Sequence, residues 1–211
     1  MGSKNVRKIQ EVIHGGDGWN KCWEQGLTPW DTGRPTPVLV DLLEKGGLPK
    51  GRALVPGCGT GYDVVAIAGP ERFVVGLEIS ERAIKRAEED QVYSFSYLRN
   101  KRELKELNPY ECNLHFWNKF FCAIEPSMRP AWASQVRDML KPDGELITLM
   151  FPIGDREGGP PYNVTLDTYE EVLHPMGLRA ISVEDNELAI RPRKGREKIA
   201  RWKRPLNLSP L

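Results

Sequence analysis

Continuous apolar runs bounded by turn residues punctuate the chain at residues 52–56 (RALVP), 72–79 (RFVVGLEI), 120–124 (FFCAI) and 145–151 (ELITLMF). Strands buried on both faces show no polar alternation, so these four read as members of a parallel sheet. Weaker runs at 178–183 and 187–190, separated by Glu184, Asp185 and Asn186, predict a C-terminal antiparallel hairpin. Periodic segments at 37–45, 62–68, 81–89, 129–140 and 166–173 predict helices between the strands. Ser80 stands at an N-cap position ahead of ERAIKRAEE, and KPDG at 141–144 reads as a helix stop and tight turn. This alternation predicts an α/β fold, a mainly parallel twisted sheet with helices on both faces. The segment from Arg191 is rich in Arg, Lys and Pro, and residues 194–211 are expected to form a loose tail.

The 211 residues, 40% hydrophobic, suffice for one such domain with a single core. Thirty basic residues against twenty-nine acidic leave a formal charge of +1. That balance favours a small-molecule or small-anion partner over nucleic acid or an anionic membrane. No apolar stretch approaches the roughly 18 residues of a membrane span, and the N-terminus lacks the apolar core of a signal peptide. A cytosolic monomer is the expectation, and MGSKNV departs from the myristoylation pattern at Val6. Cys22, Cys58, Cys112 and Cys122 form no CxxC pair, and His14, His115 and His174 stand at no zinc-ligand spacing. Reduced thiols and no structural metal follow.

The stretch ALVPGCGTGYD runs from an apolar strand into Gly57, Gly59 and Gly61 and then opens a helix. Glycines there let the backbone turn sharply and approach a ligand, with helix N–H groups facing an anion. A dinucleotide fingerprint would place a third glycine where Tyr62 stands, which weakens the pyrophosphate reading. Twenty-one positions after Gly57, the second strand ends in Glu78. An acid at that place can accept hydrogen bonds from vicinal ribose hydroxyls, in a nicotinamide dinucleotide or in S-adenosylmethionine. Both cofactors remain open on this pair alone.

Three tryptophans, Trp19, Trp23 and Trp30, crowd the N-terminal segment, and Trp19 and Trp23 are spaced to share one helix face. Packing of an N-terminal helix onto the sheet accounts for them. A sulfonium cofactor offers a second account, since a cation without N–H donors is held by aromatic faces at roughly 0.5–2 kcal/mol per ring.

Together, WNKCWEQGLTPWDTGRPTPVLVDLL, LVPGCGTGYDVVAIA, VVGLEIS, FFCAIEPSMRPAWA, LKPDGELITLMFPI, GGPPYNV and RKGREKIARWK resemble the plant halide/thiol methyltransferases of the thiopurine-methyltransferase-like superfamily. The resemblance implies a class I methyltransferase, Rossmann-like fold, S-adenosylmethionine as donor, and halide, thiocyanate, hydrosulfide or thiol acceptors. It also implies cofactor contacts at Trp19, Trp23, Trp30, Gly57 and Glu78; with a sulfonium donor, the tryptophans make residues 1–36 a lid that would exclude water.

Residues 90–119 depart from the family. The Asp-Phe pair that borders the adenine there has no counterpart, Asn118 falls opposite a family tyrosine, and RNKRELKELNP reads as an exposed helix or a disordered insert. A form impaired by a segment replaced through splicing, or a non-catalytic cofactor-binding protein, is therefore an alternative, with a nicotinamide oxidoreductase behind it. An anionic acceptor needs alignment and desolvation and no general base, so no catalytic residue is named. Tyr162 and Arg34 are candidates on the acceptor side, with turn packing as the competing role.

Overall fold

The chain forms strands β1 (Gly51–Pro56), β2 (Arg72–Glu78), β3 (Ser96–Asn100), β4 (Cys112–Asn118), β5 (Leu140–Met150), β6 (Arg179–Asp185) and β7 (Lys198–Lys203). The computed structural model describes residues 3–14, 16–90, 96–100, 112–118, 120–155 and 157–205. Hydrogen bonds link the strands into one sheet in the order β3-β2-β1-β4-β5-β7-β6. The pairs β1–β2, β1–β4, β2–β3 and β4–β5 are parallel, and β7 lies antiparallel between β5 and β6. This is the mainly parallel α/β sheet expected from the alternation of elements, in the Rossmann-like form that the family resemblance implies.

Around the sheet lie α1 (Ser3–Ile13), α2 (Gly18–Glu24), α3 (Pro37–Glu44), α4 (Tyr62–Ile67), α5 (Glu81–Asp90), α6 (Arg129–Met139) and α7 (Leu166–Leu173). Their starts follow local chemistry. Pro37 pre-sets the first turn of α3, Ser80 Oγ accepts the Ala83 N–H to cap α5, and Thr165 and Thr168 form a reciprocal capping box on α7. Val6 is a buried residue of α1. Among the described residues, no helix is long and apolar enough to cross a membrane.

The sheet separates two main apolar clusters. One gathers Val38, Leu39, Val55, Val64 and Ile67 from α3, β1 and α4. The other gathers Phe121, Trp132, Tyr169 and Trp202, whose rings stack or meet edge to face at centroid distances of 4.0–6.2 Å. Residues buried on both sides in this way tolerate neither charge nor void, which fixes the strand ends that carry the site.

Several expectations need correction. The FFCAI run is a turn after β4: Ala123 N–H donates to Phe120 O at 2.8 Å, and Phe121 owes its hydrophobicity to stacking on Tyr169. The central strand is formed by the residues just before it. KPDG lies within β5, where Leu140 pairs with Cys112 and Glu145 with Leu114, so residues 141–144 bulge out opposite Asn113. The second hairpin arm is β7, not 187–190, because Asn186 turns the chain by accepting the Leu188 N–H at Oδ1 and the Ala189 N–H at its carbonyl. The segment from 194 is accordingly no loose tail, since Lys198–Lys203 is an interior strand.

In the atypical segment, β3 pairs with β2 from Val74↔Ser96 to Glu78↔Asn100, and Asn118 ends β4. Arg99 and Asn100 are thus strand, not helix. The expectations for the remaining helix or insert, and for the missing Asp-Phe pair, fall largely on residues 91–95 and 101–111, outside the described residues.

Candidate cofactor and acceptor site

The sheet order turns back between β1 and β4, and an open α/β sheet places its ligands in the crevice beyond the strand ends at such a point. The loop leaving β1 has φ of 62°, 57° and 77° at Gly57, Gly59 and Gly61. Side chains resist this left-handed region. Space also demands glycine at 57, where a Cβ would lie 2.8 Å from Phe120 Cδ2. The loops after β1 and β4 therefore meet directly at the crevice.

Glu78 ends β2 beside this loop and is 7% exposed. Its Oε1 accepts the Ile79 and Ser80 N–H groups at 2.8 and 2.9 Å, and its Oε2 accepts the Gly59 N–H at 2.9 Å. Burial raises its pKa, and the three backbone donors oppose that shift. A carboxylate oxygen offers about two acceptor positions, so Oε2 retains one for a hydroxyl.

The aromatic segment closes over the other side of the loop. Trp19 and Trp23 lie on α2 and both meet Trp30 edge to face, at 5.4 and 6.4 Å between ring centroids. A Cβ on Gly59 would lie 3.3 Å from the Trp23 ring. Further along, Thr60 Oγ1 donates to Asp31 at 3.2 Å, and the Thr36 N–H and Oγ1 donate to Asp63 at 2.6 and 2.9 Å. The tryptophans pack on one another, and Trp23 packs on the glycine turn. A buried acid with a spare acceptor position, a turn with glycine at every second residue and three aromatic rings fit a ligand that carries a ribose and a sulfonium.

Across the crevice, the loop after β5 rests on the turn after β4, with Tyr162 N–H donating to Cys122 O at 2.8 Å. Arg129, the first residue of α6, packs into this junction with its guanidinium 4.3 Å from the Phe121 centroid and 5.9 Å from that of Tyr162. It is 7% exposed, and neither Nε nor Nη2 has a hydrogen-bond partner. Burial lowers its pKa from the ordinary arginine value, without bringing neutrality within physiological reach. Burial, and then a hydrogen bond from its hydroxyl to Glu125, push the Tyr162 pKa up to about 12. Tyr162 thus stays protonated and acts as a donor, not a base.

Glu78 and Trp23 both meet the loop that begins at Gly57, each at Gly59, and Trp30 links Trp23 to Trp19. Tyr162 lies beside Arg129 at the junction of the loops after β4 and β5, whereas Arg34 lies exposed in a turn where its carbonyl accepts the Thr32 hydroxyl at 3.2 Å. Sequence reasoning missed Arg129. Its one signal was an arginine between Met128 and Pro130, just ahead of the apolar Ala131, Trp132 and Ala133.

Comparison with known proteins decides the cofactor. The model of the thiopurine S-methyltransferase family matches residues 14–205. The chain belongs to that family. It is accordingly an S-adenosylmethionine-dependent methyltransferase, and the nicotinamide alternative falls away. Thiocyanate methyltransferase 1 of Brassica oleracea is 54% identical over 202 residues, covering 93% of this chain and 88% of that protein. Probable thiol methyltransferase 2 of Arabidopsis thaliana is 56% identical over 195 residues, covering 89% of this chain and 84% of that one. Magnesium protoporphyrin IX methyltransferase from Synechocystis PCC 6803, solved with bound SAH, superposes with a TM-score of 0.61 over 94% of each chain. At 16% identity that likeness speaks for the fold alone.

Proposed function

We propose that this methyltransferase acts on a small soft anion, namely thiocyanate, hydrosulfide, a thiolate or a halide, and that Arg129 seats the acceptor. The observation that carries the reading is the buried Arg129 guanidinium, two of whose nitrogens, Nε and Nη2, lack protein partners. A buried unpaired charge costs several kcal/mol, so a cation held there is best explained by an anion that comes to it. The names of the two plant relatives, thiocyanate and thiol methyltransferase, point to the same chemical class.

When bound, S-adenosylmethionine supplies a methyl group on a sulfonium, activated for in-line displacement. Glu78 would hold its ribose hydroxyls, Gly57 would let it approach the loop backbone, and Trp19, Trp23 and Trp30 would cover it and exclude water. Arg129 orients the anion and replaces part of its hydration, while Phe121 and Tyr162 keep the surroundings apolar. No proton moves when the acceptor is already anionic, which agrees with a Tyr162 that stays protonated. A cytosolic monomer completes the proposal, and the free thiols Cys22, Cys58, Cys112 and Cys122 suit a reducing compartment.

Arg129→Met tests the assignment. Hydrogen bonds from a charged donor are worth about 1.5–3 kcal/mol, so the thiocyanate KM should rise about 10- to 100-fold while S-adenosylmethionine affinity and the melting temperature hold. An unchanged KM in the folded variant would remove Arg129 from the acceptor site.

A further inference from the structure

Asn20 projects from α2, the helix that carries Trp19 and Trp23, toward the start of α5. Its Oδ1 accepts both the Ser80 hydroxyl at 3.0 Å and the Arg82 N–H at 3.1 Å. Four residues further along α2, Glu24 Oε1 accepts from Arg82 Nη2 at 2.9 Å. Arg82 N–H is one of the first donors of α5 and would otherwise have no partner in the helix, so an amide from another helix completes the cap.

Ser80 is fully buried, and its own N–H donates to Glu78 Oε1. The contacts close a ring: Asn20 to Ser80, Ser80 to Glu78, Glu78 to Gly59, and Gly59 against Trp23, three residues beyond Asn20 on the same helix. Each bond of the ring lies on the donor side of the crevice. The Arg129 side shares none of them.

We infer that Asn20 is a positioning residue for methyl-donor binding: its amide oxygen latches the tryptophan helix to the strand end that carries Glu78, so that the lid and the ribose acid are set as one unit. This rests on the placement of the donor at Glu78 and the tryptophans, proposed above. Loss of the latch leaves each contact residue present but lets the helix part from the loop.

Asn20→Leu removes the acceptor oxygen at similar volume, and Asn20→Asp retains it. Two ordinary hydrogen bonds together correspond to about a tenfold change in affinity. Asn20→Leu should therefore weaken S-adenosylhomocysteine binding about tenfold by calorimetry and raise the S-adenosylmethionine KM to match. The thiocyanate KM at saturating donor should stay unchanged, and Asn20→Asp should restore donor binding. Wild-type donor affinity in a folded Asn20→Leu, or a loss that Asn20→Asp does not repair, would overturn the latch.

Two further measurements separate this failure from failure of the donor site itself. If Glu78→Ala and Trp23→Ala also bind S-adenosylhomocysteine normally, the donor placement falls and the latch falls with it. If both lose affinity while Asn20→Leu does not, only the latch is lost. Hydrogen exchange on the unaltered protein needs no variant to fold. Added S-adenosylhomocysteine should slow exchange at Gly59, at Arg82 and along α2 together. Slowing at Gly59 with no change at Arg82 or α2 would refute the coupling.

Discussion

The Gly59 N–H donates to Glu78 Oε2 at 2.9 Å, joining the turn after one strand to the acid at the end of its neighbour. Cys58 N–H donates to Leu77 O at 3.1 Å beside it. The glycine loop is thus anchored by the second strand, and any ligand held by Glu78 is held in register with the loop.

Donor binding should depend on pH through Glu78. Burial raises its folded pKa above that of the unfolded chain, so between the two values the folded state holds the proton more often. Stability contributed by that proton is present below the unfolded pKa and is lost as pH rises through the folded one. Donor affinity should move the other way, strengthening as the carboxylate ionises and becomes acceptor-only. Calorimetric titration with S-adenosylhomocysteine across the acid range should show this rise, and Glu78→Ala should weaken binding by about 1–3 kcal/mol and flatten its pH dependence. A pH profile identical in wild type and variant would exclude Glu78 from the ribose site.

Gly57→Ala should impair folding and donor binding together. Its φ of 62° costs an L-residue roughly 1–2 kcal/mol, and the added Cβ would force Phe120 aside. For a domain of this size that corresponds to a melting temperature lower by about 2–8 °C. Differential scanning calorimetry with and without S-adenosylhomocysteine checks both effects, and an unchanged melting temperature would show that the loop has another conformation.

Thr148→Val should destabilise the sheet without touching the site. Trp202 Nε1 donates to Thr148 Oγ1 at 2.9 Å, and both residues are fully buried. Valine matches the shape of threonine but leaves the indole N–H unpaired, at a cost of about 1–3 kcal/mol. Urea denaturation should read that loss while S-adenosylmethionine and thiocyanate KM values hold. A variant as stable as wild type would mean that Trp202 finds another partner.

Most of the parallel half of the fold was legible, because β1, β2 and the apolar part of β5 carry continuous hydrophobic runs and Ser80 and Pro37 mark their helices. FFCAI misled because a turn packed over an aromatic cluster needs as much apolar surface as a strand does. KIARWK misled in the opposite sense. Its Ile199, Ala200 and Trp202 are buried, while the charges of Arg201 and Lys203 are met by Glu145, itself 2% exposed and more than fifty residues away. Lys198 likewise pairs with Asp185 at 2.6 Å across the hairpin. The glycine loop and Glu78 were readable through their fixed order on successive strands. Arg129 was not, because an arginine at a helix start ordinarily faces water, and only the packing of Phe121 and Tyr162 reveals that this one does not.

The placement of β7 between β5 and β6 has a consequence for how the chain is made. β6 leaves the ribosome ahead of β7, yet every sheet hydrogen bond that holds β6 is made with β7. During synthesis β6 must therefore wait as an unpaired strand beside a sheet that ends at β5, an edge open to other nascent chains. Lys198–Lys203 closes that edge and recruits β6 in one step, which makes the most charged strand of the sheet the one that completes it.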